Sequence, residues 1–199
     1  RQGFRRFHSC HTALTHLTNK WYKSINEGKL VGTVFLDLSK AFDLVPHDIL
    51  LSKLLNYNCS DLSISWFKSY LTNRKQTVVV DNKRSTEKLV KSGVPQGSIL
   101  GPLLFKLFIN DLPNRVSYSE TDLYADDCTL TATGDTLTEL ETKLNKDLRN
   151  IETWCHTNKM HVNPSKSNCI LISTRQKRKT LPKKNLSLFI NDETLTIVQ

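Results

Sequence analysis

Two adjacent acids in Tyr124-Ala125-Asp126-Asp127, and a third far upstream at Asp37, are the residues of this chain best suited to chemistry. Mutual repulsion opposes gathering three carboxylates at one point, and no basic residue is tied to the pair in sequence. A divalent cation resolves that repulsion. Hard cations such as Mg²⁺ take carboxylate oxygens and share them with substrate phosphates, the layout of two-metal phosphoryl transfer. The ions of such a site stand about 3.5–4 Å apart, so the three acids must converge within a few ångströms. Side chains alternate along a strand, so a turn must carry the adjacent pair; Asp126 is expected as the main ligand and Asp127 as the secondary one. Taken alone, an Asp-Asp pair is more often an exposed acidic turn.

The elements that must position these acids follow from the hydrophobic pattern. Residues 30–36 read as a buried strand that delivers Asp37 at its carboxyl end. Residues 122–124 and 128–133 read as short strands flanking the acidic pair. Thr136-x-x-Glu139 is a capping box opening an amphipathic helix with Leu137, Leu140, Leu144, Leu148, Ile151 and Cys155 inside. Upstream, Ser9 caps a helix to about residue 26, stopped at Gly28, with Cys10, Leu14, Leu17, Trp21 and Ile25 as its buried stripe. Pro46 opens a helix carrying Leu50, Leu51, Leu54 and Leu55, and a further helix spans about 61–71. Residues 76–80 and 87–91 read as a hairpin around a turn at 81–84. Residues 101–110 are apolar all round, the mark of a buried helix. Residues 168–173 and 186–190 read as late strands. Strands followed by helices on one face give an α+β class.

The bulk numbers narrow the partners. The chain has 199 residues, with 28 Lys and Arg against 19 Asp and Glu, a net charge of +9. That balance suits a polyanion. The cysteines number five, an odd count, and no Cys-x-x-Cys occurs, so a disulfide framework is not expected and a reducing, intracellular compartment is favoured. Cys10-His11 and Cys155-His156 lack a second half at finger spacing, so zinc is not expected. No apolar run reaches membrane-spanning length and no signal-peptide pattern opens the chain, so no membrane partner is expected. The chain begins at Arg1 and reads as an excerpt of a longer polypeptide.

Three ordered motifs make the pattern specific. Phe35-Leu36-Asp37-Leu38-Ser39-Lys40-Ala41-Phe42-Asp43-x-Val45-x-His47 resembles motif A of reverse transcriptases. Ser92-Gly93-Val94-Pro95-Gln96-Gly97-Ser98-Ile99-Leu100-Gly101-Pro102 resembles motif B, and Tyr124-Ala125-Asp126-Asp127 resembles motif C. With Gln2-Gly3-Phe4-Arg5 ahead of them, their form is similar to the non-LTR (LINE-type) retrotransposon enzymes. The resemblance runs from Gln2 to the end of the chain.

The resemblance implies a right-hand polymerase architecture without its thumb: a palm with an antiparallel sheet backed by helices, plus part of the fingers. It divides one domain, truncated at both ends, into partial fingers (1–28), palm with motif A (29–47), a fingers-side insertion (48–93) and palm with motifs B to E (94–199). The implied activity is RNA-directed DNA polymerisation, in which a primer 3′-hydroxyl attacks the α-phosphorus of a dNTP. The implied partners are an RNA template, a DNA primer and dNTPs; the implied cofactor is two Mg²⁺ or Mn²⁺ ions. Metal binding maps onto Asp37, the Leu38 carbonyl, Asp126 and Asp127. One ion would activate the hydroxyl and the other would hold the triphosphate. Action in the cytoplasm or nucleus is implied as well.

Further roles follow from the same resemblance. Backbone amides at Lys40 and Ala41 would cradle phosphate oxygens. Phe42 would be the sugar gate, rejecting a 2′-hydroxyl by exclusion; its plain alternative is a core phenylalanine. Gln96 and Gly97 would meet the nucleotide and template. Asp43 is read as structural. Lys166 resembles the motif D lysine acting on pyrophosphate, with a surface lysine as the alternative. Residues 186–195 resemble the primer-gripping motif E hairpin, and Arg175, Lys177, Arg178, Lys179, Lys183 and Lys184 form a basic run that either meets phosphates or is a solvated linker. Basic triphosphate-binding residues upstream of Gln2 and a thumb after motif E are missing, so the excerpt alone is expected to be weak or inactive. Two other readings compete: an RNA-dependent RNA polymerase, which shares the palm, and a non-catalytic nucleic-acid-binding remnant. Phe42, Pro95-Gln96-Gly97 and Ala125 argue against the first; the retained acids argue against the second.

Overall fold

The computed structural model describes residues 9–181 and 186–198. Gln2-Gly3-Phe4-Arg5, Arg6, His8, Lys183 and Lys184 lie outside the described residues. In chain order the elements are α1 (Cys10–Asn26), β1 (Leu30–Leu36), α2 (Ala41–Leu44), α3 (His47–Asn56), α4 (Asp61–Leu71), β2 (Lys75–Gln76), β3 (Val79–Val80), β4 (Lys83–Arg84), β5 (Lys88–Leu89) and α5 (Leu100–Phe108). A 3₁₀ helix (Ile109–Arg115) leads to β6 (Glu120–Tyr124), β7 (Asp127–Gly134), α6 (Leu137–Thr157), β8 (Asn168–Ile172), α7 (Arg175–Thr180), β9 (Phe189–Ile190), β10 (Glu193–Thr194) and β11 (Thr196–Val198). They form two compact units: Arg1–Ser39 with Asp111–Gln199, and Lys40–Asn110.

The first unit is built on a sheet ordered β11-β8-β1-β7-β6. β1 pairs antiparallel with β7 and with β8, and β6 with β7; β11 joins β8 in parallel. The expected α+β class with a mainly antiparallel sheet is therefore present. β11 is an addition that the residue pattern, a short polar-flanked run, did not signal. α6 packs on β1 and β7. Its expected stripe, Leu137, Leu140, Leu144, Leu148, Ile151 and Cys155, is buried throughout. Gly32 makes this packing possible, because a Cβ there would stand 2.7 Å from Leu144 Cδ1. Thr136 Oγ1 caps the Glu139 N–H as expected, and the Glu139 carboxylate reaches back to the N–H of Asp135.

α1 departs from its expected stripe. Ser9 caps it, but only Leu17 is buried; Leu14 is 58% exposed and Cys10 is exposed. The reason is a cavity of about 380 Å³ bounded by Cys10, Leu14 and Leu17 on the helix and by Phe35 and Leu123 on the sheet. The predicted strand at 186–190 shortens to β9, which turns through Asn191 and Asp192, both with positive φ, into β10. This hairpin forms its own two-stranded sheet.

α6 also carries Asp147, which is fully buried. Its carboxylate accepts three backbone N–H bonds, from Ser117 (2.8 Å), Tyr118 (3.0 Å) and Ser119 (2.6 Å). A buried carboxylate needs such partners, and here they fix the turn that feeds β6.

The second unit packs α3 with α4 and α5 around Leu50, Leu54, Leu71, Leu104, Phe105 and Phe108. The 101–110 segment is not buried all round as expected: Leu103 is 46% exposed, and the α-helix gives way to the 3₁₀ helix at Ile109. The expected 76–91 hairpin exists with a tighter turn. Asp81 and Asn82 both adopt positive φ, the signature of a type I′ turn, and pairing is confined to β3–β4 and β2–β5. His47 is buried with Nε2 2.8 Å from the Gly93 carbonyl.

Candidate active site

The three acids all belong to the first unit, at one end of its sheet. β1 is buried except at half-buried Phe35, and its hydrophobic run is pinned between β7 and β8. Leu36 pairs with Cys128 and Tyr124 with Asp127. Extending the β1–β7 register by one residue sets Asp37 across from Asp127, on the face opposite to that of Leu36 and Cys128. Tyr124 and Asp127 close the β6–β7 hairpin, so Ala125 and Asp126 are its two turn residues. Ala125 takes φ +55°, a conformation that costs a residue with a Cβ about 1–2 kcal/mol. On the outer side, the Cys10 thiol donates to the Tyr124 hydroxyl at 3.1 Å and ties the hairpin to α1.

The electrostatics agree with this proximity. The Asp127 carboxyl is raised from its ordinary pKa, first by desolvation, then by the negative charges of Asp126 and Asp37. Among the described residues, no lysine or arginine forms an ion pair with any of the three acids. Nor do three His, Cys, Asp or Glu side chains stand as a ready-made cage among the described residues. Unneutralised carboxylates repel one another and splay, so charge neutralisation is needed to draw them together. The donor set, hard carboxylate oxygens with no sulfur or imidazole among them, fits Mg²⁺ or Mn²⁺.

Beyond Leu36 the chain continues beside residues 161–163. Asn163 N–H donates to the Asp37 carbonyl at 2.8 Å, Ser39 N–H donates to the His161 carbonyl at 2.8 Å, and Leu38 bridges Val162 between them. In an antiparallel pair of this kind the middle residue lends neither its N–H nor its C=O to the partner. The Leu38 carbonyl therefore points away from residues 161–163.

Lys166 also belongs to this unit and is exposed, on the loop between Asn163 and Ser167. That loop ends at Ser167, a residue the sequence did not single out. The Asp37 N–H donates to Ser167 Oγ at 3.1 Å, and Ser167 is fully buried. Nothing in the sequence announced this bond, which spans 130 positions.

The remaining expected residues lie in the second unit. Lys40 has φ +46° and starts α2, its carbonyl accepting from the N–H groups of Asp43 and Leu44. Ala41 is buried. Phe42 is half-buried and stacks on Phe105, centroids 4.4 Å apart and planes at 24°. Gln96 is exposed and its amide donates to Asp43 Oδ1 at 2.8 Å, while Ser92 Oγ donates to the Asp43 carbonyl at 3.0 Å. Asp43 is thus occupied in holding motif B, as a structural residue would be. Gly97 takes φ +78° with open space where a Cβ would stand; Gly93, at φ +89°, lies so close that a Cβ would meet the Asp43 carbonyl oxygen at 2.7 Å. Lys177, in the basic run, donates to the Gly28 carbonyl at the end of α1 within the first unit.

Comparison with known proteins gives a consistent result. Residues 2–188 match the family described as reverse transcriptase (RNA-dependent DNA polymerase). The chain is similar to the "Probable RNA-directed DNA polymerase from transposon BS" of Drosophila melanogaster, at 34% identity over 172 residues, 83% of this chain and 19% of that protein. It is similar to the "RNA-directed DNA polymerase from mobile element jockey" of Drosophila funebris, at 31% identity over 171 residues, 82% of this chain and 19% of that protein. The chain thus spans about a fifth of the length of these relatives. Among solved structures, apo telomerase from Candida tropicalis shares the fold with a TM-score of 0.60 at 12% identity, over 84% of this chain and 33% of that one.

Proposed function

The chain belongs to the reverse transcriptase family, and from that premise we propose that it forms the catalytic centre of a non-LTR retroelement's RNA-directed DNA polymerase. The observation that supports this reading is the placement of Asp37 directly after β1 and of Asp126 and Asp127 at the turn of the β6–β7 hairpin, at one end of a single sheet. In this reading residues 29–47 and 94–199 are palm, 1–28 partial fingers and 48–93 a fingers-side insertion. The work takes place in the cytoplasm or nucleus, on an RNA template, a DNA primer and dNTPs.

Asp37, Asp126, Asp127 and the Leu38 carbonyl would hold two divalent ions. When bound, such ions neutralise phosphate charge and lower the pKa of a coordinated hydroxyl. The protein's own share is positioning. β1 and the β6–β7 hairpin aim the carboxylates. Amides at Lys40 and Ala41 would bind triphosphate oxygens, Phe42, braced by Phe105, would exclude a 2′-hydroxyl, and Gln96 and Gly97 would line the nucleotide's approach. Lys166 would hold a proton for the departing pyrophosphate. Among the described residues no helix is long and apolar enough to cross a membrane.

The test is primer extension on an RNA template by the full-length protein containing this chain. dNTPs are incorporated, rNTPs are not, and Asp126→Asn lowers the rate by on the order of a thousandfold, the several kcal/mol expected of a lost metal ligand, while primer–template binding persists. Preferential rNTP incorporation would make it an RNA polymerase. Binding without any extension would make it a remnant. The 199-residue chain alone is expected to show little or no processive synthesis.

A further inference from the structure

The backbone of Asp37 is enclosed by the loop that carries Lys166. Asn163 N–H donates to the Asp37 carbonyl at 2.8 Å, and the Asp37 N–H donates to Ser167 Oγ at 3.1 Å. Ser167 Oγ in turn donates to the Asn163 carbonyl at 2.8 Å, closing a ring of three residues. The loop is stitched internally as well: Asn163 Oδ1 accepts from the Ser165 N–H at 3.1 Å and from Ser165 Oγ at 2.7 Å, and Ser167 N–H donates to the Asn163 carbonyl at 3.0 Å.

We infer that Ser167, together with Asn163, is a positioning residue for Asp37 and holds the Lys166 loop in fixed register with the metal-binding acids. The inference deepens the polymerase reading and rests on it. A hydroxyl supplies one donor and can accept at the same time, and Ser167 uses both capacities along one line. Removing the hydroxyl leaves the loop's own stitching in place, because the Asn163 carbonyl keeps the Ser167 N–H. What is lost is the acceptor for the Asp37 N–H, in a place without exposure to solvent. The damage therefore falls on the acid rather than on the loop. Because the Leu38 carbonyl follows directly, a shift of Asp37 displaces two ligands together.

The test uses the full-length protein as wild type, Ser167→Ala, Ser167→Thr and Asp126→Asn. Mn²⁺ binding is followed by electron paramagnetic resonance, and RNA-templated extension is measured across a Mg²⁺ titration. Ser167→Ala should bind Mn²⁺ about 10–100-fold more weakly and require correspondingly more Mg²⁺, the size of effect typical for partners that orient metal ligands. Its primer–template affinity should stay near that of the wild type and its melting temperature should fall only modestly, from the orphaned Asp37 N–H, and Ser167→Thr, which keeps the hydroxyl, should recover metal affinity relative to Ser167→Ala. Mn²⁺ binding no weaker in Ser167→Ala than in wild type overturns the inference. So does equal loss in the Ala and Thr variants accompanied by a lowered melting temperature, which would make Ser167 a packing residue. Failure of the polymerase reading looks different: no extension by wild type, or full extension by Asp126→Asn, whatever Mn²⁺ does at Ser167→Ala.

Discussion

Leu36 of β1 stands directly across from Cys128 of β7. Both are buried, and this single pairing determines that the next residue on one strand and the preceding residue on the other, Asp37 and Asp127, confront each other at the sheet's end. Two apolar residues held by the core thus bring the acids to the same end of the sheet.

Burial of Asp127, with the negative charges of Asp126 and Asp37 beside it, has a measurable sign. The folded state raises the Asp127 pKa, so it binds that proton more tightly than the unfolded chain does. The stability this gives is full below the unfolded value of about 4 and is lost as pH rises through the folded value. At neutral pH without divalent cations, Asp127→Asn should therefore melt higher than wild type, and the gap should close on acidification. Thermal unfolding in chelator across pH checks this. A gap that widens in acid would contradict it.

Ala125 bends the same hairpin at φ +55°. Glycine adopts that region freely, and the gain is offset in part by the greater freedom of glycine in the unfolded chain. Ala125→Gly should stabilise the protein by up to about 1 kcal/mol. Chemical denaturation would show a raised midpoint.

Gly93 and Gly97 both have positive φ, but only Gly93 is in close backbone contact. Gly97→Ala should cost about 1–2 kcal/mol, the strain of the left-handed region alone. Gly93→Ala must also displace the Asp43 backbone, so its cost should be clearly larger and its soluble yield lower. Equal midpoints for the two variants would count against the contact at Asp43.

Asp147 holds three N–H groups of the turn before β6. Asp147→Ala leaves three backbone N–H groups without their acceptor and empties a buried site, and should cost about 1–3 kcal/mol. Hydrogen exchange at Ser117, Tyr118 and Ser119 should accelerate with it.

Phe42 rests on Phe105. Under the proposed role, Phe42→Val opens space at the sugar and should raise rNTP use relative to dNTP by on the order of 10–100-fold, the range that one pocket contact governs. The ratio of the two kcat/KM values in full-length protein is the measurement.

Much of the site's scaffold was readable from residue order. The run from Leu30 to Leu36 had only one plausible fate as a buried strand, and the α6 stripe from Leu137 to Cys155 kept helical period over its whole length. α1 misled because its apolar residues have the same period, yet Cys10 and Leu14 border a cavity instead of filling the core. Ser167 and Asp147 were silent because their meaning is in partners brought near by folding: a serine in a turn-forming string and an acid on a helix look like ordinary surface choices. Charge and polarity locate such residues only once the chain has closed around them.

The β1–β7 register carries one more consequence. Strand side chains alternate, so a slip of one residue would turn Asp37 to the opposite face and send it toward α6. A chain folded in the wrong register would still possess all three acids and would gather none of them. Under the proposed metal-binding role, divalent-cation affinity would then report on assembly: only molecules whose sheet has closed in register could gather the acids around the ions.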